Sequence, residues 1–185
     1  TLQNANVNLS GLVSEYLAAF TPVGLVTTHT GAITITNSGN SVIEAEDITT
    51  INTASTGNIT ITNNIDINGT SSEVAAAVVV VDSYSGTPTA TLSNPHTLQE
   101  LKTINDEISG TITLNDNTVQ LSGATSDLLA ALNNISNYSG NLVTTDSCTV
   151  SEGVTISTLS EGTINYNSLE DSVTNISSTN GGKTS

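Results

Sequence analysis

Short stretches in which Thr or Asn alternates with an apolar residue recur along this chain. Between them lie stretches whose apolar residues return every three or four positions. The alternating stretches share a lead, a small or polar residue followed by Gly. Gly31 leads Ala32-Ile33-Thr34-Ile35-Thr36, Gly57 leads Asn58-Ile59-Thr60-Ile61-Thr62, and Gly110 leads Thr111-Ile112-Thr113-Leu114. Looser copies follow Gly86, Gly140 and Gly162. A period of two predicts half-buried strands with Ile and Leu turned inward and Thr and Asn outward. Gly at each lead predicts backbone freedom to leave a preceding helix and turn. A second alternating stretch appears at residues 65–69 and again at 119–123.

The intervening segments read as helices. Leu98, Leu101, Ile104 and Ile108 fall on one helix face behind Thr97 and Glu100, a capping-box pair in which each side chain satisfies an amide of the other's turn. Leu128, Leu129, Leu132 and Ile135 repeat the spacing, as do Val74, Val78 and Val81. Ile43, Ile48 and Ile51 make a weaker version, and Leu12, Tyr16, Leu17 and Phe20 form a helix ahead of the first marked strand. Residues 154–159 and 168–176 read as shorter segments that fray into a terminal cap.

The six glycines are spaced 26, 29, 24, 30 and 22 residues apart, so short and long units alternate and a pair spans about 54 residues. Units of this length cannot bury an apolar face alone and take their stability from neighbours. The fold this predicts is a β-rich solenoid, with right-handed parallel β coils, short helical crossovers and one continuous sheet. A pure β-helix is the alternative, and a β-sandwich with turns at similar spacing is a third arrangement. The expected organisation is an N-terminal helical and lead-in segment over residues 1–30. A six-unit solenoid of paired coils over 31–177 and a tail over 178–185 follow.

Composition narrows the function more than the fold. The 185 residues hold 17 acidic side chains and two basic ones, Lys102 and Lys183, for a formal charge of −15. Nucleic acid is excluded as a partner, because binding it requires Lys or Arg to neutralise phosphates. Anionic membrane surfaces are disfavoured for the same reason. No apolar stretch reaches the ~20 residues of a bilayer span, and the longest run covers residues 74–81. The lone Cys148 allows no internal disulfide and no cysteine metal cluster. The absence of Met predicts a processed product or a piece of something longer, with no signal peptide visible.

Several groups carry candidate chemistry. Asn64, Asp66 and Asn68 before Gly69 match the opening of a calcium loop, but Ala75 stands where a closing Glu belongs, and the same residues serve as outward strand positions. Asn115, Asp116 and Asn117 read as a turn. His29 and His96, far apart in sequence, read as a surface imidazole and a helix-leading one rather than zinc ligands. Glu44, Glu46 and Asp47, or Asp106 and Glu107, are carboxylates that a sugar hydrolase could pair, although solvated charge on a helix is the simpler reading. Outward Thr34, Thr36, Thr60, Thr62, Thr89, Thr91, Thr111 and Thr113 could form an ice-binding array, or simply satisfy strand propensity. Sequons stand at Asn8, Asn58, Asn68, Asn134, Asn137 and Asn175. None of these assigns a catalytic residue, cofactor or metal, and the chain is expected not to be an enzyme.

The texture of residues 109–115, 126–135 and 138–140 resembles the long acidic repeat regions of secreted cell-surface proteins of marine cyanobacteria and other marine bacteria. It is also similar to segments of the fibre and appendage proteins of phages that infect them. The resemblance implies a structural and interaction protein, extracellular, on a cell surface or in a virion, that forms part of a filament or appendage. Its expected partners are copies of itself or neighbouring structural subunits. An adhesin recognising glycans is the alternative, with ice binding and a polysaccharide-active enzyme as minor ones.

Overall fold

In the computed structural model of this chain, residues 5–20 and 29–170 are described. A unit of two short strands and one helix recurs through them. β1 (Leu9–Gly11) and α1 (Val13–Phe20) form an abbreviated first unit. Full units follow: β2 (Ile33–Ile35), β3 (Val42–Glu44) and α2 (Ala45–Ala54), then β4 (Ile59–Ile61), β5 (Asp66–Gly69) and α3 (Ser71–Val78). The fourth is β6 (Ser83–Tyr84), β7 (Thr89–Leu92) and α4 (Leu98–Glu107), and the fifth β8 (Ile112–Leu114), β9 (Leu121–Gly123) and α5 (Thr125–Leu132). The sixth comprises β10 (Leu142–Thr144), β11 (Ser147–Cys148) and α6 (Val150–Leu159), followed by β12 (Ile164–Asn165) and β13 (Ser168–Leu169).

Local chemistry explains where the helices start. Thr70, Thr97 and Thr149 each accept the main-chain N–H of a Glu three residues on, and that Glu reaches back to the Thr N–H. These reciprocal bonds satisfy two of the amides that a helix start leaves open. α6 is a full ten-residue helix where shorter, fraying segments were expected, and its signal was the third capping box, Thr149 with Glu152.

The strands form four small sheets, all parallel, in the orders β1-β2-β4-β6, β3-β5-β7-β8, β9-β10-β12 and β11-β13. This overturns the expected β-rich solenoid of parallel β coils around one continuous sheet, and the pure β-helix with it. The fold is α/β: six helices of eight or ten residues stand against strands of two to four among the described residues. The six glycine-led strands divide over three sheets: β2 and β4 in the first, β7 and β8 in the second, β10 and β12 in the third.

The division follows from what the marker glycines touch. A Cβ on Gly57 would collide with the main chain of Gly31, and one on Gly31 with that of Val7. Gly86 lies instead on Asn63 and Asn64, Gly110 on Pro88, Gly140 on Val119 and Gly162 on Gly140. None of the six has positive φ. Their requirement is therefore close approach of one unit's backbone to the next, not the turning freedom that the sequence suggested. Because Gly110 seats on Pro88, just before β7, β8 pairs with β7, and the first sheet stops at β6.

Each helix packs on its successor, from α1 on α2 to α5 on α6. One apolar cluster runs from Val13 to Ile156, fed by inward strand residues such as Ile33, Ile59, Ile67 and Leu92 and helix residues such as Ile48, Val74, Leu101 and Leu128. Burying each such side chain contributes about 1.5–3 kcal/mol. Val13, Tyr16 and Phe20 of the first 30 residues belong to this same cluster, while 178–185 lie outside the described residues.

Candidate functional site

The end of the first sheet at β6 opens a cleft of about 600 Å³. One wall is Asp82, Ser83 and Tyr84; the other is the C-terminal turn of α4, with Asp106 and Glu107, and Ser109 beyond it. Asn133 and Asn134 close one end. Asp106 and Glu107, expected as a carboxylate pair or as solvated charge, are exposed side chains on the rim of this cleft. Lys102 donates to Asp106 at 3.0 Å from one turn earlier. Tyr84 is half-buried, and its hydroxyl donates to Val78 O at 3.4 Å. Burial, and then the charge of Glu107, push its phenol well above the usual range. No reading of the sequence pointed to Asp82 or Tyr84, because the cleft forms only where β8 leaves the first row.

Asp82 also closes the sheet that it borders. Its carboxylate accepts the N–H of Ile59 at 2.8 Å. Asn105, behind the cleft, spends both ends of its amide on structure, donating to Ala131 O at 2.5 Å and accepting from Asn134 N–H at 3.2 Å. The free polar capacity of the cleft thus lies with the acidic rim and the edge of β6.

The other candidates separate into lateral links between units. Asp66 accepts from the hydroxyls of Thr89 and Thr91, both at 2.8 Å. Asn68 donates to the Glu44 carboxylate at 3.0 Å, and Asn64 accepts the Thr87 N–H at 2.7 Å. Each of the three is bonded to a different partner in a neighbouring unit. Asn8 and Asn141 make the bond that Asn64 makes, each accepting an N–H one unit on, from Ala32 and Thr163 at 3.0 Å. Asp116 accepts from the N–H and hydroxyl of Thr118 within its turn, at 2.9 and 2.6 Å, and these bonds hold its carboxyl below the usual range. Glu46 and Asp47 lie in the first turn of α2, where burial and then the charges of Glu44 and Glu46 push the Asp47 carboxyl up. Among the described residues, no group of three or more His, Cys, Asp or Glu is arranged to hold a metal ion.

Both histidines are buried, which corrects the surface reading of His29. Its Nδ1 meets Ser55 Oγ at 2.9 Å and its Nε2 meets Val7 O at 2.8 Å, so it ties the first units together. His96 Nε2 lies 3.3 Å from the Tyr138 hydroxyl, while its Nδ1 has no partner. Burial holds the His96 imidazole below its ordinary pKa, against the pull of Asp116 and Glu100. Cys148 is buried, and burial, followed by the charges of Glu152 and Asp146, pushes its thiol up. That keeps it in the unreactive protonated form at neutral pH.

The Thr row is split between sheets. Ser10, Thr34, Thr60 and Ser83 stand in register on the first, whereas Thr91 pairs with Thr113 on the second. Thr62 turns its hydroxyl to Ile35 O at 3.1 Å. Of the sequons, Asn8, Asn68 and Asn134 use their amides in bonds to neighbouring units, and Asn175 lies outside the described residues. Asn58 and Asn137 are exposed.

Among the described residues no helix is long and apolar enough to cross a membrane. No protein-family model, curated protein or solved structure matches this chain.

Proposed function

We propose that this chain is a structural and interaction protein, a segment of an extracellular or virion filament or surface appendage that joins neighbouring subunits end to end. The observation that carries this reading is the pair of terminal edges. Among the described residues β1 is the outer strand of the first sheet, and β12 and β13 are outer strands at the other end of the row of units. An uncovered parallel edge is a template for another strand. Exposed apolar side chains accompany both ends, Val7 and Leu12 beside β1 and Val154 and Leu169 beside the last strands. A contact between unlike ends does not close on itself and so propagates as a filament. The acidic composition, and its likeness to repeat regions of secreted marine surface and phage appendage proteins, support an extracellular or virion setting.

The charge of −15 opposes self-association, so salt is the natural variable. Sedimentation velocity at rising protein concentration is expected to show larger species. These should grow as ionic strength rises from about 0.01 M to about 1 M and the screening length falls from about 30 Å to about 3 Å. Val7→Asp and Leu169→Asp, at opposite ends, are each expected to suppress them. A monomer at every concentration and salt level refutes the reading, as does association that neither substitution affects.

A further inference from the structure

We infer that the cleft beside β6 takes an extended, Lys- or Arg-bearing segment of a partner protein, added as a further strand on the free edge of the first sheet. This site is separate from the terminal edges and does not depend on end-to-end assembly. β6 is the last strand of its sheet. Ser83 and Tyr84 stand in register with Thr60 and Ile61 of β4, and Ser85 donates its N–H to Ile61 O at 2.9 Å. Alternate residues of a strand address opposite neighbours, so the main chain of Tyr84, next to Ser85, turns away from β4 toward the cleft that Tyr84 lines. The strand that would occupy this place if the first row continued is β8, and β8 sits on β7 instead. The cleft is therefore a vacant strand position with walls already built around it.

Charge selects the occupant. Asp82, Asp106 and Glu107 surround the edge, and α4 carries no basic residue in its last turn. The carboxylates there add to the negative end of the helix dipole, where a cation would normally be placed. Among the described residues Lys102 is the one basic side chain, and it offsets only part of this field. A second copy of this chain cannot supply the missing charge, since it too carries −15 with two basic residues. A bare metal ion is not favoured either, because these carboxylates do not converge into a ligand set. A strand with cationic side chains meets both demands, main-chain pairing and charge complementarity.

The test uses the full chain and a panel of short synthetic peptides in which Val alternates with Lys or Arg. Glu-substituted peptides, and basic peptides with Pro at alternate positions, serve as controls. Fluorescence anisotropy reports binding, and hydrogen exchange at the Tyr84 amide reports strand pairing. The basic peptides are expected to bind and to protect the Tyr84 amide, with affinity falling as salt rises. Neither control should do so. Asp106→Asn combined with Glu107→Gln is expected to weaken binding about tenfold, and both side chains are exposed, so the fold should tolerate the change. Equal binding of the Pro-containing peptides, or binding without Tyr84 protection, overturns strand addition. Failure of every basic peptide overturns the proposal, as does a neutral oligosaccharide that fills the cleft in their place. Failure here leaves the sedimentation result untouched, so the two readings stand or fall separately.

Discussion

Replacing Gly57 with Ala tests the account of the glycine markers directly. A Cβ at this position would press on the carbonyl of Gly31, with the carbonyl carbon 2.5 Å away and Thr30 O at 3.1 Å. All of these are main-chain atoms, so no side-chain rotation relieves the clash, and two units must move apart. Overpacking costs about 1–3 kcal/mol, and a backbone obstacle puts this site at about 3. Ala also restricts the unfolded chain, which returns about 0.4–1 kcal/mol. The net loss of about 2–2.5 kcal/mol corresponds to a Tm lowered by roughly 4–10 °C for a chain of this length. Gly39 is the internal control, because the nearest atom to its Cβ would be Asn64 O at 3.7 Å, an ordinary contact. Gly39→Ala should leave Tm unchanged or raise it slightly. Thermal unfolding followed by far-UV circular dichroism decides the matter. If Gly57→Ala melts within ~2 °C of the parent, or above Gly39→Ala, the close-approach argument is wrong.

Two further outcomes follow from buried polar groups. Tyr138 donates its hydroxyl to Val119 O and meets His96 Nε2 at 3.3 Å. Tyr138→Phe takes this partner from the partly buried Val119 carbonyl and from the buried His96 ring and should cost about 1–3 kcal/mol, read as a lower urea midpoint with an unchanged slope; an unchanged midpoint contradicts the hydrogen bond. Because burial depresses the His96 pKa in the folded state, the unfolded chain binds the extra proton first. Stability should be fully present above pH 6.5, the ordinary value, and decline as pH falls below it. The Glu100 carboxyl, which burial raises but bonds from Thr97 and Ser71 hold low overall, should add a second decline below its ordinary 4.5. Urea midpoints across this range, compared with those of His96→Asn, should diverge at neutral pH and converge on acidification. The opposite trend would show that His96 is stabilised as a cation.

The elements themselves were largely legible. Leu98, Leu101 and Ile104 share a face in α4 as their spacing required, and Thr97 with Glu100 caps it. Ile33 and Ile35 point inward from β2 with Thr34 between them, as alternation demands. β1, β6 and β11 escaped notice because two or three residues show no usable period; Ile43, read as part of a helix face, lies in β3, and β13 falls within a segment read as a fraying cap. The cleft was hidden for a different reason. Asp82 and Tyr84 carry no motif, and Asp106 and Glu107 were visible only as charges at the end of a helix. What makes them neighbours is a pairing choice, β8 on β7, that involves residues far apart in sequence.

Period, capping and composition are local or summed properties of the chain, so the sequence alone determined the strands and helices it could make, their inward faces and a net charge of −15. It also marked the glycines, but not their purpose. A Cβ is excluded at Gly31, Gly57 and Gly110 by carbonyl groups 22 to 26 residues away, and only assembled units bring those atoms together. The tertiary structure decided which carbonyl each glycine meets. That contact set the row each strand joins, divided one expected sheet into four, and left an open edge at β6.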